Sequence, residues 1–191
     1  TYRVLNSGGF TIQVSKEDAC AIVQSILDEL KSVIDKKQLK LKTVFPEKNV
    51  LLMLDEPLFH IVIGNLVMNA INYTAEGTIQ VECIEAKKNS ELGGQTLGED
   101  SFIVAVKDTG YGIPEKQKDK IFTKFFRADN AKEKHTDGTG LGLYMTKSIL
   151  DHSGGAVWFS SQENKGTTFY AAIPRVGMKA KTGTLSLIYP T

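Results

Sequence analysis

Three stretches of this chain set chemically useful side chains at spacings a folded backbone can exploit. In "NLVMNAINYT" (65–74), Asn65, Asn69 and Asn72 recur at i, i+4 and i+7, one face of a helix. Asn is a poor helix-interior residue, because its amide competes for nearby backbone groups. A buried amide without a partner costs about 1–3 kcal/mol. Two arrangements avoid that cost. Either the amides are satisfied by hydrogen bonds within a core, or they line a cavity where amide oxygens meet a metal ion and its waters. Mg²⁺ suits the second, since it takes oxygen ligands, keeps several waters and commonly bridges phosphates.

The other two stretches are rich in glycine. "DTGYGIP" follows an apolar strand, with Asp108 at the strand end and Gly110 and Gly112 at alternate positions. Such glycines let the backbone turn sharply and approach a ligand closely. A carboxylate there can accept from an exocyclic amino group, or Asp108 can be an ordinary turn residue. "GTGLGL" (138–143) sets Gly138, Gly140 and Gly142 just before a helix. Successive N–H groups and a helix N-terminus there suit phosphates, though a glycine-rich helix start has the same look. No Lys-Ser/Thr follows, so it is not a Walker loop, and it lacks the βαβ context of a dinucleotide fingerprint. Between the two clusters, Arg127–Thr139 has almost no large apolar side chains. That composition predicts a mobile segment, either a lid that orders on ligand or a plain surface loop.

These groups need a scaffold, and the apolar pattern supplies it. Residues 10–14 ("FTIQV") alternate like a short strand. Residues 16–38 carry a helical stripe of Ala19, Ile22, Val23, Ile26, Leu27, Leu30 and Ile34. "LKLKTVF" (39–45) reads as a half-buried strand closed by Pro46, and "VLLMLD" (50–55) as a fully apolar one. A helix from about Glu56 to Tyr73 follows, with Asp55 as N-cap and Pro57 in its first turn. "TIQVECIEA" (78–86) and "SFIVAVKD" (101–108) are strands, joined by a polar, Gly-rich loop. A short helical stretch (115–126), a third helix (141–152) and a hairpin of 156–161 and 167–173 complete the pattern. Three long helices and six to eight strands predict an α+β fold. It should be a two-layer sandwich, with the helices on one face of a mixed, mostly antiparallel sheet.

Composition narrows the function classes. At 191 residues the chain makes one good core, and a net charge of +1 gives no electrostatic case for nucleic acid or an anionic membrane. No apolar run approaches the ~20 residues of a membrane span, and no signal peptide is visible. Cys20 and Cys83 are isolated, without metal-ligand spacing, and read as small buried hydrophobes. The first residue is Thr, as expected for an excised piece of something longer. The expected layout is a linker remnant (1–9), one cytosolic-type domain (10–175) and a tail (176–191) whose strand-like "TLSLIY" has no functional reading.

Taken in order, the motifs resemble those of the ATP-binding catalytic domain of sensor histidine kinases. That domain belongs to the GHKL superfamily, the Bergerat fold, which also holds gyrase, MutL and the large heat-shock chaperone. "NLVMNAINYT" matches the N box, "DTGYGIP" the first glycine box, "IFTKFFR" the aromatic F box and "GTGLGL" the second glycine box. "NKGTTFYAAIP" resembles the usual closing strand, so the likeness spans roughly residues 10 to 175.

The resemblance implies roles. Asn69 would be the Mg²⁺ ligand, with Asn65 supporting the metal and phosphates one turn earlier. Tyr73 would lie near adenine and ribose. Asp108 would bond the adenine amino group, with Thr167 assisting through water, and Gly110 and Gly112 would admit the purine. Gly138, Thr139, Gly140, Leu141 and Gly142 would face the triphosphate, with Lys124 and Arg127 reaching its charge. Phe122, Phe125 and Phe126 would pack and anchor the lid rather than touch ligand. Two departures stand out. Asn72 belongs to the nucleotide-facing set but occupies the place of a phosphate-binding Lys or Arg. Ser153 replaces a commoner His before Gly154-Gly155.

ATP-hydrolysing relatives carry a Glu at the position of Asn65, and an amide cannot act as a base. The resemblance therefore implies ATP kept for transfer to a histidine on a separate dimerisation domain, with a response regulator downstream. None of His60, His135 and His152 sits in the acceptor's sequence context, so the chain alone should bind ATP, stay monomeric and not phosphorylate itself. A Ser/Thr protein kinase of the same fold and a non-catalytic nucleotide-sensing module are the competing classes.

Overall fold

The computed structural model describes residues 12–128 and 139–179. The linker remnant, Gly138, most of the lid, His135 and "TLSLIY" lie outside the described residues. In chain order, β1 (Ser15–Asp18), α1 (Ala19–Lys36), β2 (Lys40–Val44) and β3 (Leu51–Leu54) precede α2 (Glu56–Tyr73). β4 (Thr78–Ala86), a small hairpin of β5 (Glu91–Leu92) and β6 (Gln95–Thr96), and β7 (Ser101–Asp108) follow. A 3₁₀ helix (Glu115–Lys120), α3 (Gly142–Ser153), β8 (Ala156–Gln162) and β9 (Gly166–Pro174) complete the order.

The main sheet runs β2-β4-β7-β9-β8, and only β2–β4 is parallel. α2 lies over β7 and β9, α3 over β8 and β9, and α1 packs against α2. This is the expected two-layer α+β arrangement. β7 explains why the sheet has no wet face at its centre. Phe102, Val104 and Val106 point into the helix layer, while Ile103 joins Ala86, Leu97 and Ala172 on the other face. There the β5–β6 hairpin closes the cover: Trp158 Nε1 donates to Leu92 O at 2.9 Å, and its ring stacks on Tyr170 at 5.2 Å. The 87–100 loop is thus partly folded, where only a polar loop was expected.

Caps define the helices that matter. Asp55 accepts from Leu58 N–H at 3.1 Å through Oδ1 and from Gln13 N–H at 2.8 Å through Oδ2. It thereby starts α2 and holds the incoming chain. Asp55→Ala removes both bonds, so unfolding should cost about 2 kcal/mol less; a lower urea midpoint with unchanged slope checks this.

Four expectations shift. The first strand among the described residues is Ser15–Asp18, and residues 12–14 of the expected 10–14 are not strand, because pairing with Leu51–Leu54 is a tertiary event that alternation does not report; residues 10 and 11 lie outside the described residues. α1 then begins at Ala19, once Asp18 caps it through Cys20 and Ala21 N–H. β2 is an edge strand and mostly exposed, not half-buried. The helical stretch at 115–126 is a 3₁₀ helix of six residues followed by turns. Packing also continues past Arg175. Met178 is buried, its N–H donates to Met53 O at 2.8 Å, and Lys179 N–H donates to Ser153 O at 2.8 Å. The packed body therefore reaches Lys179.

Candidate functional site

The sheet register assembles one end of the site. Lys107 pairs with Thr168, so the next step sets Asp108 opposite Thr167, and Thr167 pairs with Ser161. A polar row thus crosses three strands on the helix-covered face. Ser161 Oγ lies 2.8 Å from Thr167 Oγ1 and accepts from Ile113 N–H at 2.9 Å. Asp108 is buried, with Oδ1 accepting from Gly110 N–H at 2.8 Å and Thr167 N–H at 3.2 Å. Oδ2 takes part in neither bond. Burial pushes this carboxyl up to about 6, against the pull of those two N–H groups.

The glycines after Asp108 lock the loop in place. At Gly110 a Cβ would strike the Tyr73 carbonyl, which accepts from Tyr111 N–H at 3.1 Å. At Gly112, whose φ is +65°, a Cβ would strike the Gln162 carbonyl. Their missing side chains leave room for main chain at the end of α2 and on β8.

A cleft continuous with solvent opens from this row. Asn69 and Tyr73 of α2 form one wall, and Arg127 and Ala128 reach it from another. Tyr111, Ile113, Ile121, Phe126, Leu143 and Phe169 make the remainder apolar and aromatic. Among the described residues, the Asn69 amide has no hydrogen-bond partner, so its oxygen is available to the cleft. Those residues contain no group of three or more His, Cys, Asp or Glu able to cage a metal. A single amide oxygen fits Mg²⁺ where phosphates supply its other ligands.

The expected residues divide. Asn69, Tyr73, Asp108, Gly112, Arg127 and Thr167 line the cleft together. Asn65 is turned elsewhere: its Nδ2 donates to Gly142 O at 3.1 Å, tying α2 to the first turn of α3. Asn72 is half-buried outside the cleft lining, and its carbonyl accepts from Lys37 Nζ at 3.4 Å. Lys124 Nζ sits 4.9 Å over the Tyr144 ring. α3 has no side-chain N-cap, which leaves first-turn N–H groups for an outside acceptor, while Leu141 N–H takes Thr139 Oγ1 at 3.4 Å. Gly140 packs on the Phe125 backbone, and Phe125 N–H donates to its carbonyl at 3.1 Å.

The aromatic box behaves unevenly. Phe122 anchors as expected, edge-on to Phe159 at 6.0 Å. Phe126 lines the cleft. Phe125 is 57% exposed.

This geometry has counterparts among known proteins. The family profile described as histidine kinase-, DNA gyrase B-, and HSP90-like ATPase matches residues 54–177. The chain belongs to this family. A family so described implies a bound nucleotide. The chain is 33% identical over 129 residues to the sensor histidine kinase WalK of Bacillus subtilis, covering 68% of this chain and 20% of that protein. It is 30% identical over 184 residues to the sensor protein kinase WalK of Staphylococcus epidermidis, covering 91% of this chain and 29% of the other. It therefore spans less than a third of either relative. Among solved structures, the catalytic domain of the histidine kinase ThkA aligns with a TM-score of 0.69 at 26% identity, covering 85% of this chain and 96% of that one. The fold is that of a histidine kinase catalytic domain.

Sequence reasoning missed the apolar half of the cleft. Tyr111 and Ile113 flank Gly112 in "DTGYGIP", and Leu143 closes "GTGLGL". Phe169 lies two residues beyond Thr167 and so shares its face of β9. That alternation was a usable signal; for Ile121 there was none beyond its apolar type.

Proposed function

We propose that this chain is the ATP-binding catalytic domain of a two-component sensor histidine kinase. It passes the γ-phosphoryl group to a histidine on a separate dimerisation domain of the same parent protein, with a response regulator downstream. The observation that carries the reading is the buried Asp108–Thr167 pair, extended by half-buried Ser161, facing Asn69 across an apolar cleft.

Each end of that cleft does a different job. Asp108 Oδ2 accepts from the adenine amino group, with Thr167 and Ser161 holding a bridging water, while Tyr111, Ile113 and Phe169 pack on the purine plane. Asn69 offers an oxygen to Mg²⁺, which when bound neutralises charge on the phosphates. Arg127 and the α3 first turn, set by Asn65 through Gly142 O, meet the remaining negative charge. Among the described residues lining the cleft, Asp108 is the one carboxylate, and it sits at the adenine end. Among those described residues no other carboxylate is at hand to activate water, so ATP waits for an acceptor. The domain comprises the core from about residue 10 to at least Lys179, acts in the cytoplasm and is monomeric when isolated. No described helix is long and apolar enough to cross a membrane.

The test mixes the purified chain with the acceptor domain of its parent, ATP and Mg²⁺, and follows acid-labile phosphate. Phosphohistidine on the acceptor is the expected result. ATP binding without transfer would replace this reading with a non-catalytic nucleotide module, and phosphoserine or phosphothreonine with the Ser/Thr kinase class.

A further inference from the structure

The end of α2 that carries Asn69 and Tyr73 to the cleft has a helix C-terminus to satisfy and no cation of its own. The last four carbonyls of an α-helix have no partner within the helix, and together they form its negative pole. α2 has no basic residue in its last turn and leaves into extended backbone at Thr74. A lysine at the end of α1 supplies the missing charge. Lys37 Nζ donates to Ile71 O at 2.7 Å and to Asn72 O at 3.4 Å. The next carbonyl, Tyr73 O, accepts from Tyr111 N–H at 3.1 Å. Three successive carbonyls are thus held from outside the helix, two of them by one ammonium. The backbone fixes that lysine. Lys37 is the C-cap of α1, and its N–H donates to Val33 O at 3.2 Å. Gln38 follows in the left-handed region at φ +57°, and Leu39 N–H closes on Ile34 O at 3.2 Å. This reversal, common at helix ends, turns the chain into β2. Because α1 packs against α2, it also delivers the ammonium to the end of the neighbouring helix.

We propose that Lys37, which lies outside the cleft lining, is a positioning residue for nucleotide binding: its ammonium fixes the last turn of α2 and so sets where Asn69 and Tyr73 stand in the cleft. This role rests on the ATP–Mg²⁺ reading of that cleft. Asn69 comes two residues before Ile71 and Tyr73 two after, so both side chains ride on the turn whose carbonyls Lys37 holds. Partial burial pushes the Lys37 ammonium below the usual lysine value. Charge-assisted bonds to the two carbonyls offset that loss of water. The other end of α2 is held separately, by the Asp55 cap, so the two ends can be loosened one at a time.

The test measures ATP affinity by titration calorimetry, with and without Mg²⁺, at a temperature where every protein compared is folded. The unsubstituted chain is set beside Lys37→Met, Lys37→Arg and Asp55→Ala. Met keeps the apolar stem without charge or donors, Arg keeps both, and Asp55→Ala weakens the same helix from its other end. In Lys37→Met, ATP affinity with Mg²⁺ should fall by about tenfold, the scale of a displaced binding group, and Mg²⁺ should improve binding less than it does in the unsubstituted chain. Lys37→Arg should recover most of both, and Asp55→Ala should keep the full Mg²⁺ response despite a lower melting point. Coupling is reciprocal, so the unsubstituted protein gives a second measurement. ATP–Mg²⁺ should slow acylation of the Lys37 amine, mapped by mass spectrometry, relative to exposed Lys36, although Lys37 does not line the cleft. The proposal is overturned if Lys37→Met binds as the unsubstituted chain does, or if Asp55→Ala loses the Mg²⁺ response to the same extent. Equal labelling of Lys37 with and without ATP–Mg²⁺ also overturns it, and decides the matter even if Lys37→Met fails to fold. An unsubstituted chain that binds no ATP would instead remove the ATP reading of the cleft, and this role with it.

Discussion

Asp108→Asn is expected to weaken ATP binding by roughly ten- to a hundredfold while making the ligand-free domain more stable at neutral pH. The two effects share one cause. Oδ1 is already held by Gly110 and Thr167 N–H, so an Asn side chain keeps its oxygen there and turns its NH₂ toward the cleft. An adenine amino group would then meet a donor instead of an acceptor. A hydrogen bond to a charged group contributes about 1.5–3 kcal/mol, which sets the size of the loss. Titration calorimetry with ATP, compared with a ligand lacking the exocyclic amino group, measures it. Equal losses for both ligands would mean that Asp108 shapes the cleft without reading the base.

The stability gain follows from the carboxyl's titration. In the folded protein it titrates at about 6, against 3.8 for the unperturbed group. The native state thus holds this proton more tightly than the unfolded chain does. Its contribution to stability is full below the unfolded value and is lost as pH rises through the folded one. The window is about pH 4 to 6, and the change is on the order of 2–3 kcal/mol. Above it, the wild-type domain holds a desolvated charge that Asn does not carry. Thermal melts across that window should slope in the wild type and flatten in the variant. Nucleotide binding runs the opposite way, because Oδ1 already accepts two N–H groups, so a proton settles on Oδ2 and makes it a donor and a weaker acceptor toward adenine. Affinity should fall up to tenfold per pH unit below about 6 in the wild type, and this part of the pH response should vanish in Asp108→Asn. The comparison also cancels the titration of ATP's own phosphates.

Much of this site was legible in the sequence because its polar members sit where backbone geometry demands rare residue types. Three amides on one helix face conflict with helix propensity, and glycines at alternate positions conflict with strand and helix alike. Such conflicts mark functional ground. α2, β4 and β7 were legible to the residue for a different reason: each has a strong apolar period and a clear boundary, Asp55 and Pro57 at one end and Asp108 at another. What stayed hidden was tertiary. Nothing local distinguishes Asn65, which bonds Gly142 O, from Asn69, which faces the cleft, since both occupy the same face one turn apart. The β1–β3 ribbon depends on partners 39 positions apart, as in Ser15↔Leu54, and so left no trace in the alternation of either strand. That a Cβ at Gly110 would meet a main-chain oxygen of α2 was likewise beyond any local pattern.

The difference between the two asparagines makes the second large prediction. Asn69→Ala should abolish the dependence of ATP affinity on Mg²⁺ and slow transfer to the acceptor domain by about a hundredfold or more, the scale of losing one preorganised charge-stabilising contact. Stability should hold or rise slightly, since the amide has no partner among the described residues and Ala is the better helix former. Asn65→Ala should do the reverse. It removes the tie to Gly142 O, costing about 1 kcal/mol of stability, and leaves the Mg²⁺ response in place with affinity reduced a few-fold as α3 loosens. Measuring ATP affinity with and without Mg²⁺, beside a thermal melt, separates the variants in two experiments. An Asn69→Ala domain that still answers to Mg²⁺ would mean the cation is held by other groups, and that Asn69 is wall rather than ligand. An Asn65→Ala domain that loses the response would put the metal one turn earlier on α2, with the Gly142 bond yielding when nucleotide arrives.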